Sequence, residues 1–173
     1  MMNNSKNTSS ENKLYNNILL LSRNKLFYTK INLSDTFQNR IHLIFIHLSF
    51  LFIKVKHSKD ANIYKSFYQK MFDLVFKKIE LNMREIGFGD TVINKNMKLL
   101  VKNFYNILLN CESLSKKTLI DKKLFFLNYL KTNPEQKGSN NDLLLQYFDK
   151  YQAFCFDLSA DSVLSGKINF NYK

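Results

Sequence analysis

Glycine and proline are scarce in this chain, four and one among 173 residues. Sandwiches and barrels need many turns, and turns draw on both residues. The scarcity excludes an all-β architecture and favours helices. Cysteine is limited to Cys111 and Cys155, with no CxxC spacing. That excludes a disulfide framework and a zinc ribbon, so both thiols are expected to be reduced and partly buried. The three histidines include no HExxH pair. On a helix His42 and His47 point about 140° apart and cannot share a metal on one face. No glycine loop continues as GxGxxG or GK[ST], and no GxSxG elbow is present. No reaction machinery is therefore predicted.

Acidic residues are few against basic ones, 14 against 26, giving a net charge of +12. Arginine is nearly missing as well: Arg23, Arg40 and Arg84 stand alone among lysines. A dedicated base or phosphate reader uses arginine for its planar fork. The charge thus predicts attraction to an acidic surface, whether RNA, ribosome or anionic lipid, without choosing among them. Lys, Asn, Ile, Phe and Tyr share A/T-rich codons, so base composition contributes to the lysine excess.

Long hydrophobic runs are also lacking. Ile18-Leu19-Leu20-Leu21 is too short for a signal-peptide core, which predicts a cytoplasmic protein. The most apolar stretch, Ile41 to Ile53, rises about 20 Å as a helix, short of the roughly 30 Å hydrocarbon core. His42, His47 and Ser49 interrupt it, and Lys54 and Lys56 close it. It reads as a buried central helix; the sharper alternative is a helix that lies on a membrane or receives a client.

What is present is helical periodicity. Residues 1–11 are polar and read as a disordered tail, ahead of a single all-α domain over 12–173. A short helix is predicted from about Lys13 to Asn24, and a longer one, capped by Ser34 or Asp35, to about Lys56. A turn over His57 to Asn62 follows. Tyr64, Phe67, Tyr68, Met71, Phe72, Val75, Ile79, Met83 and Ile86 then recur at three- and four-residue steps. Ile93, Met97, Leu100, Val101, Phe104, Tyr105 and Leu108 form a second such stripe. Between them, Gly87-Phe88-Gly89-Asp90 reads as C-cap, tight elbow and N-cap. Arg84 and Glu85 are expected to pair across the corner, Gly89 to need its freedom more than Gly166, and the nearby lysines to make the elbow a positive patch. Ser115 or Thr118 should open a helix through Leu130, residues 133–141 a loop, and Asp142 a last helix along Leu144, Leu145, Phe148, Tyr151, Gln152 and Cys155. Ser159 to Gly166 reads as a terminal turn. The expected fold is one compact bundle of about five to seven helices, with two long helices joined at the Gly-x-Gly-Asp elbow.

Met83-Arg84-Glu85-Ile86-Gly87-Phe88-Gly89-Asp90 resembles the LRE-x-G-x-GD signature of the ubiquinol–cytochrome c chaperone family, the assembly factors of respiratory complex III. The resemblance continues through Lys95, Met97-Lys98 and Phe104-Tyr105, and extends weakly from about Asp35 to Gly166-Lys167-Ile168-Asn169-Phe170. Met83 stands where the family has Leu, and Asn106-Ile107 where it has Gly-Arg. The resemblance implies an assembly chaperone without catalytic residue, metal or cofactor. Its client would be newly made cytochrome b, met near the ribosome or the inner face of an anionic membrane. The residues it marks are Met83, Arg84, Glu85, Gly87, Gly89, Asp90, Lys95, Lys98, Phe104 and Tyr105. Two other classes stay open on the residues alone: a basic RNA- or ribosome-binding or membrane-surface module without a client, and a small α-helical enzyme. The first is distinguished by steep salt dependence, the second by a deep polar pocket with paired titratable groups.

Overall fold

The computed structural model describes residues 9–134 and 140–172. Eight α-helices follow one another: α1 Ser10–Ser22, α2 Lys25–Thr29, α3 Phe37–Ser58, α4 Ala61–Ile86, α5 Asp90–Glu112, α6 Leu119–Tyr129, α7 Asn141–Asp157 and α8 Ala160–Leu164. A 3-10 turn, Leu114–Lys116, lies between α5 and α6. No strand occurs among the described residues; the single β-bridge joins Leu33 to Thr132. Six helices have eleven residues or more, and they make the predicted all-α bundle.

α3 is the axis. It packs against α1, α4, α5, α7 and α8, and its residues from Ile41 to Phe52 are all buried. The helix is long and apolar enough to cross a membrane by length and composition, yet here protein covers it. That explains why its hydrophobic residues do not keep to one stripe: a helix surrounded on all sides is apolar all round. The polar exceptions are wired. His47 Nδ1–H donates to Leu43 C=O at 2.6 Å, and its Nε2 accepts from the Tyr147 hydroxyl at 2.8 Å. Burial pushes its pKa down to about 4, so the ring is neutral. His42 is also held neutral by burial. Its Nδ1–H donates to Tyr129 C=O at 2.7 Å, and its Nε2 accepts from Gln38 and Asn103. Both are structural histidines. Cys111 and Cys155 are free and buried.

Several boundaries differ from expectation for local reasons. Ser9 caps α1, so Ser10 and Glu11 are helical and not part of a tail; residues 1–8 lie outside the described residues. Neither Ser34 nor Asp35 caps α3: Thr36 does, accepting from Asn39 N–H, while Asp35 grips Arg40 at 2.7 Å. The predicted turn at 57–62 narrows to Lys59 and Asp60, because the Asp60 carboxylate caps α4 through Asn62 and Ile63 N–H. Thr118 caps α6. Asn140 caps α7, leaving Asp142 in the first turn and Asn141 inside the helix; the rest of the predicted loop, 135–139, lies outside the described residues.

Two tertiary clips close the fold. Asn39 is fully buried, and its amide donates to Ser34 and Lys131 C=O, both at 2.7 Å, while accepting from Lys131 N–H. It thereby joins the entry of α3 to the exit of α6. Gly166, at φ +72°, lies against α1: a Cβ there would sit 2.5 Å from Ser10 O and 2.9 Å from Lys13 Cβ. Its carbonyl accepts from Asn17 Nδ2 at 3.0 Å.

Candidate functional site: the α4–α5 elbow

α4 ends on Gly87 at φ +98°, the left-handed conformation that favours glycine. Gly87 N–H bonds Arg84 C=O at 3.0 Å and Phe88 N–H bonds Met83 C=O at 3.1 Å. This is the paired-bond Schellman ending, which satisfies two carbonyls of the last turn. Met83 and Phe88, the positions whose apolar side chains usually accompany such endings, line one cleft together.

The other half of the elbow corrects the sequence reading. Gly89 is extended, at φ −73°, and is itself the N-cap; its carbonyl accepts from Ile93 N–H at 3.0 Å. Asp90 is the first helical residue and caps nothing. Its carboxylate accepts from Arg84 Nη1 at 2.6 Å, while Arg84 Nε and Nη2 reach Glu80 at 3.2 and 2.9 Å. Arg84 therefore bridges Glu80 and Asp90 and does not pair with Glu85. Set between two carboxylates, Arg84 adds no net positive charge to the elbow, which leaves the expected patch to the flanking lysines. Nothing lies within 4 Å of a Cβ built on Gly89, whereas Gly166 is crowded; the expected order of these glycines is reversed.

Two open clefts flank the elbow, of about 230 and 250 Å³. Asn82, Glu85 and Ile86 line the first, opposite Arg23, Arg40 and Ile44. Met83 and Phe88 line the second, with Leu99 and Leu100. Phe37, at the start of α3, borders both. The signature is thus split across a corner, its odd members serving different walls. Ile86, Phe88 and Leu99, which line these clefts, are exposed, and so are Leu81 and Val92 on the two flanking helices. Ile86, expected to be buried with its stripe, is 60% exposed at the last residue of α4.

The other marked residues lie elsewhere. Lys95 and Lys98 are exposed on the outer side of α5. Phe104 is some 20 Å further along the helix from Asp90, buried against Phe45 and Phe76 at ring distances of 5.2 and 5.9 Å. It belongs to the core. Tyr105 is half-exposed beside Phe72. The sequence reading overlooked Arg23, Arg40 and Phe37 as neighbours of the elbow. A signal existed: two of the only three arginines meet at one cleft, next to the helix that carries the third. Among the described residues no three His, Cys, Asp or Glu side chains converge.

These features define an all-α protein whose most distinctive local structure is a glycine-capped helix corner with exposed apolar side chains at its clefts. The sequence profile of the ubiquinol-cytochrome C chaperone family matches residues 29–170; the chain belongs to that family. Among solved structures, the crystal structure of the Cbp3 homolog from Brucella abortus is similar, with a TM-score of 0.77 at 20% identity. The match covers 94% of this chain and 89% of that one, and it is a likeness of fold. No curated protein sequence matches.

Proposed function

We propose that the protein is a non-enzymatic assembly chaperone for ubiquinol–cytochrome c reductase, and that its client is newly made cytochrome b. The observation that carries this reading is the apolar rim of the elbow, where Ile86 and Phe88 fill the two variable positions inside the family signature. A membrane subunit awaiting its partners exposes apolar helices. A surface that shields them must itself leave large apolar side chains unburied, against the usual avoidance of such patches. Ile86, Phe88 and Leu99 are three such side chains at the clefts, with Leu81 and Val92 exposed on the helices that meet there. The two clefts beside them are of a size to accept individual large side chains of a client helix. Clefts already open beside the corner support recognition by reducing the ordering cost of binding. The lysine excess supports a second, electrostatic contact alongside the client.

The test is capture of cytochrome b by a tagged chain after rapid crosslinking, comparing Phe88→Ser/Leu99→Ser with Phe156→Ser. Phe156 is also exposed but lies at the far end of α7. The elbow variant is expected to lose most of the captured cytochrome b and to lower b-type haem absorbance per cell, while Phe156→Ser retains both. Equal capture by all three proteins would remove the elbow from the client site; capture of ribosomal proteins without cytochrome b would favour a basic ribosome-binding module.

A further inference from the structure

The outermost line of α5 is distinct from the elbow clefts. Lys95, Lys98, Lys102, Tyr105 and Leu109 follow the 3, 4, 3, 4 spacing of a single helical stripe, and all five are exposed. Between Asp90 and Glu112 this helix has no acidic residue. Those two acids are themselves engaged, Asp90 by Arg84 and Glu112 by Lys56 at 2.5 Å. None of the three lysines makes an ion pair with a described residue, unlike Lys122 and Lys123 of α6, which meet Asp149 and Asp142. The stripe is therefore a row of free ammonium groups that grades into Tyr105 and Leu109. The turn after α5 adds the exposed Lys116, and Leu119 and Ile120, the first two residues of α6, are exposed just beyond it. The turn is held against α5 by Lys117 Nζ donating to Asn110 Oδ1 at 3.1 Å.

We propose that this outer stripe docks the protein, with α5 lying flat, on an anionic bilayer surface. A lysine stripe alone would fit either lipid phosphate or nucleic acid. The apolar half decides between them. Leucine and isoleucine gain by entering the boundary between headgroups and acyl chains, and tyrosine suits that level with its apolar ring and polar tip. On RNA an exposed leucine has nothing comparable to bury against. The stripe also has no arginine, the residue whose planar fork suits a nucleic-acid backbone. Lysine stems extend along the apolar boundary while their ammonium groups reach phosphates. This docking goes beyond the client reading and does not depend on it.

The experiment is co-sedimentation of the whole chain with vesicles of equal parts phosphatidylglycerol and phosphatidylcholine, with phosphatidylcholine vesicles, and with a single-stranded RNA homopolymer. Binding is expected to the anionic vesicles only, weakening with salt. At about 1 kcal/mol per lysine near such a surface, Lys98→Gln/Lys102→Gln should weaken vesicle binding by about thirty-fold. Tyr105→Ser/Leu109→Ser should weaken it by about ten-fold, and the lysine variant should do so with its melting temperature unchanged. Phe88→Ser should leave vesicle binding intact, so failure of the client reading and of this one are distinguishable. Absence of vesicle binding, or vesicle binding that neither double variant alters, overturns the proposal. RNA binding that depends on the lysines and ignores Tyr105 and Leu109 overturns it in favour of nucleic acid.

Discussion

Gly166 and Gly89 show how little a glycine reveals until its surroundings are known. Gly166 combines a left-handed φ of +72° with a backbone oxygen 2.5 Å from the place of a Cβ. Gly166→Val should therefore destabilise by about 3 kcal/mol or more, from strain and overpacking together. Gly89→Val should cost less, since that residue is extended with open space beside it. Thermal melts of the two variants check the order; a lower melting temperature for Gly89→Val would show that the crowded contact with α1 relaxes freely. His47 provides a second test at this scale. Its folded pKa of about 4 lies below the unfolded value near 6.5, so below 6.5 the unfolded chain binds more protons. Stability is full above pH 6.5 and falls as pH drops toward 4, by on the order of 3 kcal/mol for this group. His42 shifts in the same direction. Denaturant melts from pH 7 to 4.5 should show the decline, and His47→Gln should flatten it. An unchanged slope in the variant would assign the acid sensitivity to other groups.

At the scale of elements, the long amphipathic helices were legible and their ends were not. α4 and α5 each present one covered face, so their three- and four-residue steps survive in the sequence. α2 has five residues, too few for any period, and nothing in Lys25–Thr29 announces it. Caps were misread by one or two positions, because Ser34, Asp35 and Thr36 are all competent and only the geometry chooses. The choice of Thr36 follows from Asp35 being taken by Arg40. The elbow was legible in its glycines but not in its charges. Arg84 had carboxylates at 80, 85 and 90 within reach, and sequence spacing could not rank them. The corrected roles predict that Thr36→Ala costs about 1 kcal/mol, as loss of a side-chain cap does. Asp90→Ala should cost less, since the group is an exposed partner of Arg84 and not a cap. Gly89→Ser should raise stability slightly by adding the missing side-chain acceptor. Denaturation midpoints of the three variants decide; a loss for Asp90→Ala as large as that for Thr36→Ala would restore Asp90 as the cap.

Over the whole molecule, the question posed by the most apolar stretch is whether α3 serves the fold or leaves it. Its side chains engage every long helix, α1, α4, α5 and α7 by packing and α6 through the His42 bond to Tyr129 C=O, while Asn39 holds Lys131 just past α6. Around its middle, Phe45 and Phe52 meet Phe76, Phe67 and Phe104 of α4 and α5, while His47 holds Tyr147 and Tyr151 of α7. Withdrawing α3 would open all of these contacts at once, so it cannot be released as a local event. The elbow differs: the rim side chains at 86, 88, 92 and 99 are exposed, and a client there covers surface without disturbing the axis. Native-state hydrogen exchange measures the distinction. Amides from Leu43 to Leu51 should exchange only through global unfolding, with a free energy equal to that from denaturant melts. Amides at the first turn of α5 and in α6 should exchange through smaller openings, since both elements are exposed along one side. Faster exchange in α3 than in α6 would mean that the central helix departs the bundle on its own, and the apolar surface offered to a client would then be α3 and not the elbow.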